Sequence, residues 1–133
     1  MKQNEIKVVK VEPGKAPEVC LIKNDLRSLQ EAVSIGADHV GLIEIVRLDV
    51  GECLILNEEG KLIGLQPNRR LGNDILCGVF YVVGENEHGV LTSLSEESTE
   101  YYIQYFKEIP TISPDEVEST IMAEFISFEE GSF

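Results

Sequence analysis

The first part of the chain alternates short apolar runs with polar turns, a pattern that is typical of β-strands. Residues 6–11 are rich in β-branched side chains, and the run ends at Pro13 and Gly14, which favour a turn. Residues 19–22 are apolar at every position, so we predict a strand that is buried on both faces. The two strands are expected to pair as a hairpin with a longer loop.

The predicted sheet continues in further apolar runs at residues 42–48, 54–56, 62–65, 75–83 and 90–94. The run at 75–83 has the strongest β pattern because it combines Val, Phe and Tyr, and Gly78 within it indicates a bulge. Between residues 66 and 74 the sequence concentrates loop-forming residues, among them Pro67 and Gly72. We therefore predict a loop there that interrupts the sheet.

Helical spacing replaces this pattern in two places before residue 110. Behind a cap at Asn24 or Asp25, leucines and a valine recur at intervals of three or four residues until Gly36 supplies a stop. A second helix is predicted from a cap at Ser93 or Ser95 to about residue 107, with its apolar side chains on one face.

A third helix is predicted near the end of the chain. Ser113 is followed by Pro114 and then by Glu116, the arrangement of a capping box with proline at the first helical position. Apolar residues then recur every fourth position from Val117 to Phe125. The pattern predicts a helix to about residue 127.

Together these elements predict a single α+β domain, with a mostly antiparallel sheet of about six strands and two or three helices packed on one face. Residues 1–106 would form the body of this domain. Residues 107–133 would form a C-terminal extension whose capped helix packs on the same domain.

The charge is distributed unevenly along the chain. The formal net charge is -13, and residues 71–133 carry one basic residue, Lys107, against thirteen Asp or Glu. A field of this sign repels phosphate backbones, so we expect no direct binding to nucleic acid, whereas a basic protein partner is permitted. A surface that serves only to keep the protein soluble is the alternative interpretation of the same charge.

Several classes of protein are disfavoured by what the sequence lacks. No apolar stretch reaches the length of a membrane-spanning helix, and the first residues lack the apolar core of a secretion signal, so we expect a cytoplasmic protein without a membrane partner. Cys20, Cys53 and Cys77 are odd in number and widely spaced, which favours buried thiols over disulfides or a zinc site. We expect no metal and no cofactor, and, because no catalytic motif is present, no enzymatic activity.

One cluster of polar residues is a candidate ligand-binding site. Asn68, Arg69 and Arg70 lie between loop-forming residues, and two adjacent guanidinium groups in a stiff loop can grip a phosphate or carboxylate. In the alternative interpretation, one arginine holds the loop in place by bonding Asp74 or backbone carbonyls. Arg47 is a further candidate ligand residue.

Three tyrosines late in the chain, Tyr101, Tyr102 and Tyr105, are candidate walls of a pocket. Of the three, Tyr102 falls on the apolar face of the predicted second helix, so its side chain fits the core better than the wall of a pocket.

The order and spacing of several segments resemble the family catalogued as domain of unknown function 3846. These segments are VVKVEPGKAPE at residues 8–18, residues 26–33, 57–62 and 78–84, and PNR at residues 67–69. The resemblance covers roughly residues 5–106. Residues 34–40 are longer than the family pattern and the loop after Arg70 is shorter, so only Asn68 and Arg69 carry over as motif residues. Members occur in phages, other mobile elements and Gram-positive bacteria, so the resemblance implies a context rather than a reaction.

Two hypotheses about function follow. In the first, the protein is a non-enzymatic binding protein of a phage or mobile element that acts on a host component, such as a defence or nucleic-acid-handling protein. Its carboxylates would mimic nucleic acid toward a basic surface. The candidate acidic residues are Glu96, Glu97, Glu100, Asp115, Glu116 and Glu118. In the second, the Asn68-Arg69 loop binds or sequesters a small nucleotide-type anion.

Overall fold

The computed structural model describes the backbone of residues 4–131 and the side chains of residues 4–124. The strands are β1 (Glu5–Val11), β2 (Glu18–Lys23), β3 (Ile43–Asp49), β4 (Glu52–Asn57), β5 (Pro67–Leu71), β6 (Asp74–Cys77), β7 (Phe80–Glu85) and β8 (Leu91–Thr92). The helices are α1 (Leu26–Ala32), α2 (Glu96–Tyr105) and α3 (Pro114–Gly131).

The main sheet has the strand order β2-β1-β7-β4-β3, and β8 pairs with the end of β7. Every neighbouring pair is antiparallel. β5 and β6 form a separate two-stranded hairpin. Within the described residues the protein is therefore α+β, with a six-stranded antiparallel sheet and three helices, and the predicted fold class is confirmed.

The helices, however, cover both faces of the sheet. Because side chains alternate along a strand, adjacent residues such as Val8 and Val9 belong to two different apolar clusters. One cluster packs against α1 through Leu29, and the other packs against α2 through Tyr102 and Phe106. The prediction that the helices share one face is wrong, since consecutive apolar residues in the central strands require cover on each side.

Three strand predictions need correction. Residues 66–74 are not a loop, because Pro67–Leu71 and Asp74–Cys77 pair as the β5–β6 hairpin around a turn at Gly72. The run at 75–83 is two strands, since Gly78 takes a φ of +83° and redirects the chain between β6 and β7. Residues 61–64 form turns instead of a strand.

The second strand also differs from its prediction. β2 is an edge strand of the sheet, and Val19 and Leu21 on its outer face are 43% and 48% exposed. An apolar residue at every position therefore did not indicate burial on both faces.

The helix caps agree with the sequence. The Asp25 side chain accepts a hydrogen bond from the Ser28 amide at 2.8 Å, and Ser95 accepts one from the Ser98 amide at 3.1 Å. At α3, the Ser113 hydroxyl accepts from the Glu116 amide at 3.2 Å. Phe125, which the periodicity places on the apolar face of α3, lies outside the side chains that the structure describes.

Candidate functional site

Asn68 and Arg69 lie inside the protein on strand β5, and each is only 2% exposed. The Arg69 guanidinium donates hydrogen bonds from Nε to the Phe106 carbonyl (3.0 Å) and from Nη2 to the Lys15 carbonyl (2.7 Å). Its Nη1 donates to the backbone carbonyl and to Oδ1 of Asn68, at 3.2 and 2.8 Å. All three nitrogens thus bond to acceptors of the protein itself.

The amide of Asn68 completes this network. Its Nδ2 donates to the carbonyls of Val11 (2.8 Å) and Gly78 (2.9 Å). Burial lowers the pKa of Arg69 from its ordinary value, but an arginine remains charged at any physiological pH. The arrangement matches the structural alternative, in which backbone carbonyls hold Arg69, while Asp74 instead binds Lys61.

The other two candidate arginines are exposed and paired with carboxylates. Arg70 binds both oxygens of Glu116 on α3, with Nε–Oε2 at 2.6 Å and Nη2–Oε1 at 2.8 Å. This contact lowers the pKa of Glu116 and raises that of Arg70. Arg47 on β3 contacts Glu85 at 3.0 Å. These two arginines and Arg69 therefore belong to separate networks.

The candidate acidic residues lie on α2 and α3. Five of the six are exposed, and Glu116 is half-buried by its contact with Arg70. Within the described part of the chain, none of the other five makes an ion pair with Lys or Arg. On α3, Glu116 pairs with Arg70 and Glu124 pairs with Lys61, whereas the other five candidate carboxylates have no such partner among the described residues.

A groove of about 440 Å³ borders this acidic surface. One wall is α2, and the facing walls are the ends of β3, β4 and β5. The lining residues are Leu48, Asp49, Glu52, Leu71, Glu97, Ser98, Tyr101, Tyr102 and Tyr105. Its volume falls in the roughly 300–1,000 Å³ range that is usual for ligand sites.

Two tyrosine rings are the largest exposed apolar surfaces in the groove. Tyr101 is 59% and Tyr105 is 52% exposed, and their rings lie 6.0 Å apart at an interplanar angle of 25°. They stand one helical turn apart on α2, which is the spacing that brings side chains together on one face. The predicted tyrosines thus do line a pocket.

Buried contacts fix the position of this face of α2. Tyr102 is buried, and its hydroxyl donates to Oε1 of Glu52 at 3.0 Å, while the Ser98 hydroxyl bonds to Oε2 of the same carboxylate. Burial, followed by the hydrogen bond to Glu52, raises the pKa of Tyr102 well above its ordinary value. Glu52 therefore ties α2 to the start of β4.

The groove combines aromatic faces with carboxylates, which is the chemistry that binds cations. The described residues contain no cluster of three His, Cys, Asp or Glu side chains placed to hold a metal ion. Cys53 and Cys77 are buried, Cys20 is half-buried, and all three are free thiols.

Comparison with known families gives one match. The model of the family described as Domain of unknown function (DUF3846) matches residues 6–107, which is more than half of the chain. The chain belongs to the DUF3846 family. No curated protein and no solved structure matches it.

The region that matches DUF3846 contains the main sheet except for Glu5, the buried Asn68-Arg69 network and α2 with its tyrosines. Helix α3 begins seven residues after the match ends, and it contacts β6. Among the described residues, no helix is long and apolar enough to cross a membrane.

Sequence reasoning found the helical wall of the groove in this DUF3846 chain but missed the facing wall. The missed residues border the turn between β3 and β4, and they are Leu48, Asp49 and Glu52. They lie opposite α2 only in the folded chain, because α2 is far from them in sequence. The sequence contains no motif at these positions. Strand pairing places Glu52 opposite Gly84 of β7, and Tyr102 and Ser98 of α2 contact its carboxylate.

Proposed function

We propose that this protein is a non-enzymatic binding protein that acts on a partner protein with a basic surface. The observation that carries the proposal is the set of five exposed carboxylates on α2 and α3 that form no ion pair with Lys or Arg within the described part of the chain. The phage and mobile-element context that the family resemblance implies makes a host protein in the cytoplasm the expected target.

Mimicry of nucleic acid is the more specific form of this proposal. Carboxylates on the two helices would stand in for phosphates and occupy a basic groove of the target. The attraction would act between exposed charges, which salt screens beyond about 8 Å at physiological ionic strength. Binding should therefore depend strongly on salt.

The small-anion hypothesis has less support from the geometry. Asn68 and Arg69 are buried, and their polar groups bond to the protein itself, so an anion would have to displace these contacts. Arg70 is already occupied by Glu116. The acidic surroundings on α2 and α3 further disfavour an anionic ligand.

Charge-neutral variants test the proposal with a fluorescent poly-lysine peptide of about 20 residues as the probe. The variant E96Q/E100Q/E118Q removes three exposed carboxylates from α2 and α3. We expect the Kd to rise about 3- to 30-fold at low salt, because each exposed charge contributes up to about 1 kcal/mol. Fluorescence anisotropy measures the change.

The matched control, E18Q/D38N/E59Q, removes three exposed carboxylates that lie outside α2 and α3. It should leave the Kd within about twofold. Equal weakening by both variants would contradict a binding surface on α2 and α3. An affinity that did not change between about 50 and 500 mM NaCl would contradict the mimicry mechanism.

A further inference from the structure

Tyr101 and Tyr105 contact each other and neighbouring rings of α2, yet more than half of each side chain remains exposed in the groove. Aromatic residues at an exposed, concave position are enriched where proteins meet their partners. Here the concavity also contains carboxylates, since Asp49, Glu52 and Glu97 line it together with Leu48 and Leu71. The occupant must therefore suit both an aromatic face and a negative field.

We propose that the groove between α2 and the β3–β4 turn receives an arginine side chain from the basic partner. This inference rests on the proposed function and names the contact through which the partner is recognised. A guanidinium is planar and weakly hydrated, so it stacks on aromatic faces better than an ammonium group does.

The geometry provides both parts of such a contact. Tyr101 and Tyr105 present nearly parallel rings, at an angle of 25°, along one side of the groove. Asp49 and Glu97 line the same groove, and among the described residues neither forms an ion pair with Lys or Arg. A guanidinium on the rings would find carboxylate acceptors for its N–H groups within the same groove.

Contacts within the chain also position both rings in the absence of a partner. The ring of Tyr101 contacts that of Tyr102 edge to face, with centroids 4.9 Å apart, and Tyr102 is anchored by Glu52. Tyr105 contacts the buried Phe106 in the same way at 4.8 Å. A preformed site loses little conformational entropy on binding.

Removing the rings tests the inference without altering charge. We expect Y101L/Y105L to weaken the binding of a fluorescent oligo-arginine peptide by about 5- to 30-fold, because each exposed cation–π contact contributes roughly 0.5–1 kcal/mol. The control Y101F/Y105F keeps both rings and should stay within about twofold of the original protein. An oligo-lysine peptide of equal length should bind more weakly than oligo-arginine.

Two readouts separate this inference from the proposed function. The chain has no tryptophan and four tyrosines, so the part of its tyrosine-fluorescence response to the arginine peptide that Y101F/Y105F removes reports on these two rings. If oligo-arginine bound with the same affinity to the leucine and phenylalanine variants, the groove would not be the contact, while the acidic-surface proposal would stand. If neither peptide bound at low salt, the proposed function would fail together with this inference.

Discussion

At the scale of single residues, Arg69 stands out because it is buried and, among the side chains that the structure describes, has no carboxylate partner. Backbone carbonyls of Phe106 and Lys15 accept its hydrogen bonds, and the Asn68 side chain accepts another. Carbonyl dipoles replace the water that the guanidinium lost, which is the condition for keeping a buried charge. One side chain thereby joins β5 to the β1–β2 turn and to the end of α2.

Truncating Arg69 should destabilise the fold. We expect Arg69→Ala to lower the free energy of unfolding by about 2–5 kcal/mol, because the carbonyls and Asn68 lose their donors in a buried site. Arg69→Lys should recover only part of this loss, since one ammonium group cannot reach acceptors on three sides. Urea denaturation followed by circular dichroism measures both changes.

Arg27→Ala is the matched control, because Arg27 is exposed and its ion pair with the exposed Glu31 lies at the surface. It should change the free energy of unfolding by less than about 1 kcal/mol. If Arg69→Ala were no more destabilising than Arg27→Ala, the carbonyl network would not contribute to stability.

At the scale of elements, the corner between β6 and β7 depends on a glycine. Gly78 has a φ of +83°, and a Cβ built on it would lie 2.7 Å from Cδ1 of Leu65, which is itself buried. Its carbonyl also accepts from Asn68. The corner is therefore constrained by the backbone, by packing and by a hydrogen bond at once.

Adding a methyl group at this corner should cost more than backbone strain alone. We expect Gly78→Ala to lower the free energy of unfolding by about 2–4 kcal/mol, since it combines a left-handed φ with overpacking against Leu65. Gly14→Ala is the control, because Gly14 has a φ of +75° with open space around its Cβ direction. It should cost only about 1–2 kcal/mol. Equal thermal shifts for the two variants would exclude a packing role for Gly78.

The same elements show which parts of the fold the sequence could predict. Caps such as Asp25 and Ser95 act through contacts within one helical turn, so local sequence is sufficient to place them. The β5–β6 hairpin was missed because Pro67 and Gly72 are common in loops, and what makes β5 a strand is its pairing with β6. The face of the sheet on which a helix packs depends on contacts with residues that are distant in sequence. The spacing of apolar residues within the helix does not indicate that face.

At the scale of the whole molecule, the surplus of negative charge should itself affect stability. The second half of the chain carries nearly all of the net charge of -13, and most of its candidate carboxylates are exposed. Like charges in the compact state repel one another, and this repulsion is relieved on unfolding. The fold holds despite this repulsion because both faces of the sheet are covered by apolar packing.

Salt should therefore stabilise the protein. We expect Tm to rise by at least about 2 °C when NaCl is raised from about 20 to 500 mM, because screening weakens repulsion more than it weakens the few surface ion pairs. Differential scanning fluorimetry measures the shift. The variant E96Q/E100Q/E118Q should respond less to salt, and a Tm that fell with salt would show that ion pairs outweigh repulsion.

The groove between α2 and the β3–β4 turn is also a feature of the whole molecule, and for this reason the sequence predicted only its helical wall. Tyr101 and Tyr105 share a helix, so their spacing indicates a common face. Asp49 and Leu71 reach the same groove from segments that are separated in sequence by more than twenty residues. Such a juxtaposition exists only once the sheet and the β5–β6 hairpin have assembled.

The position of β7 has a consequence for biosynthesis. β7 lies between β1 and β4, so the β1–β2 and β3–β4 hairpins have no strand pairing with each other. A ribosome releases the chain from its N-terminus, and a nascent chain that stops before Phe80 holds two hairpins without the strand that joins them. Apolar residues such as Val9 and Leu54 then stay accessible to water or to a chaperone. The two hairpins can join into one sheet only when residues 80–85 have left the exit tunnel.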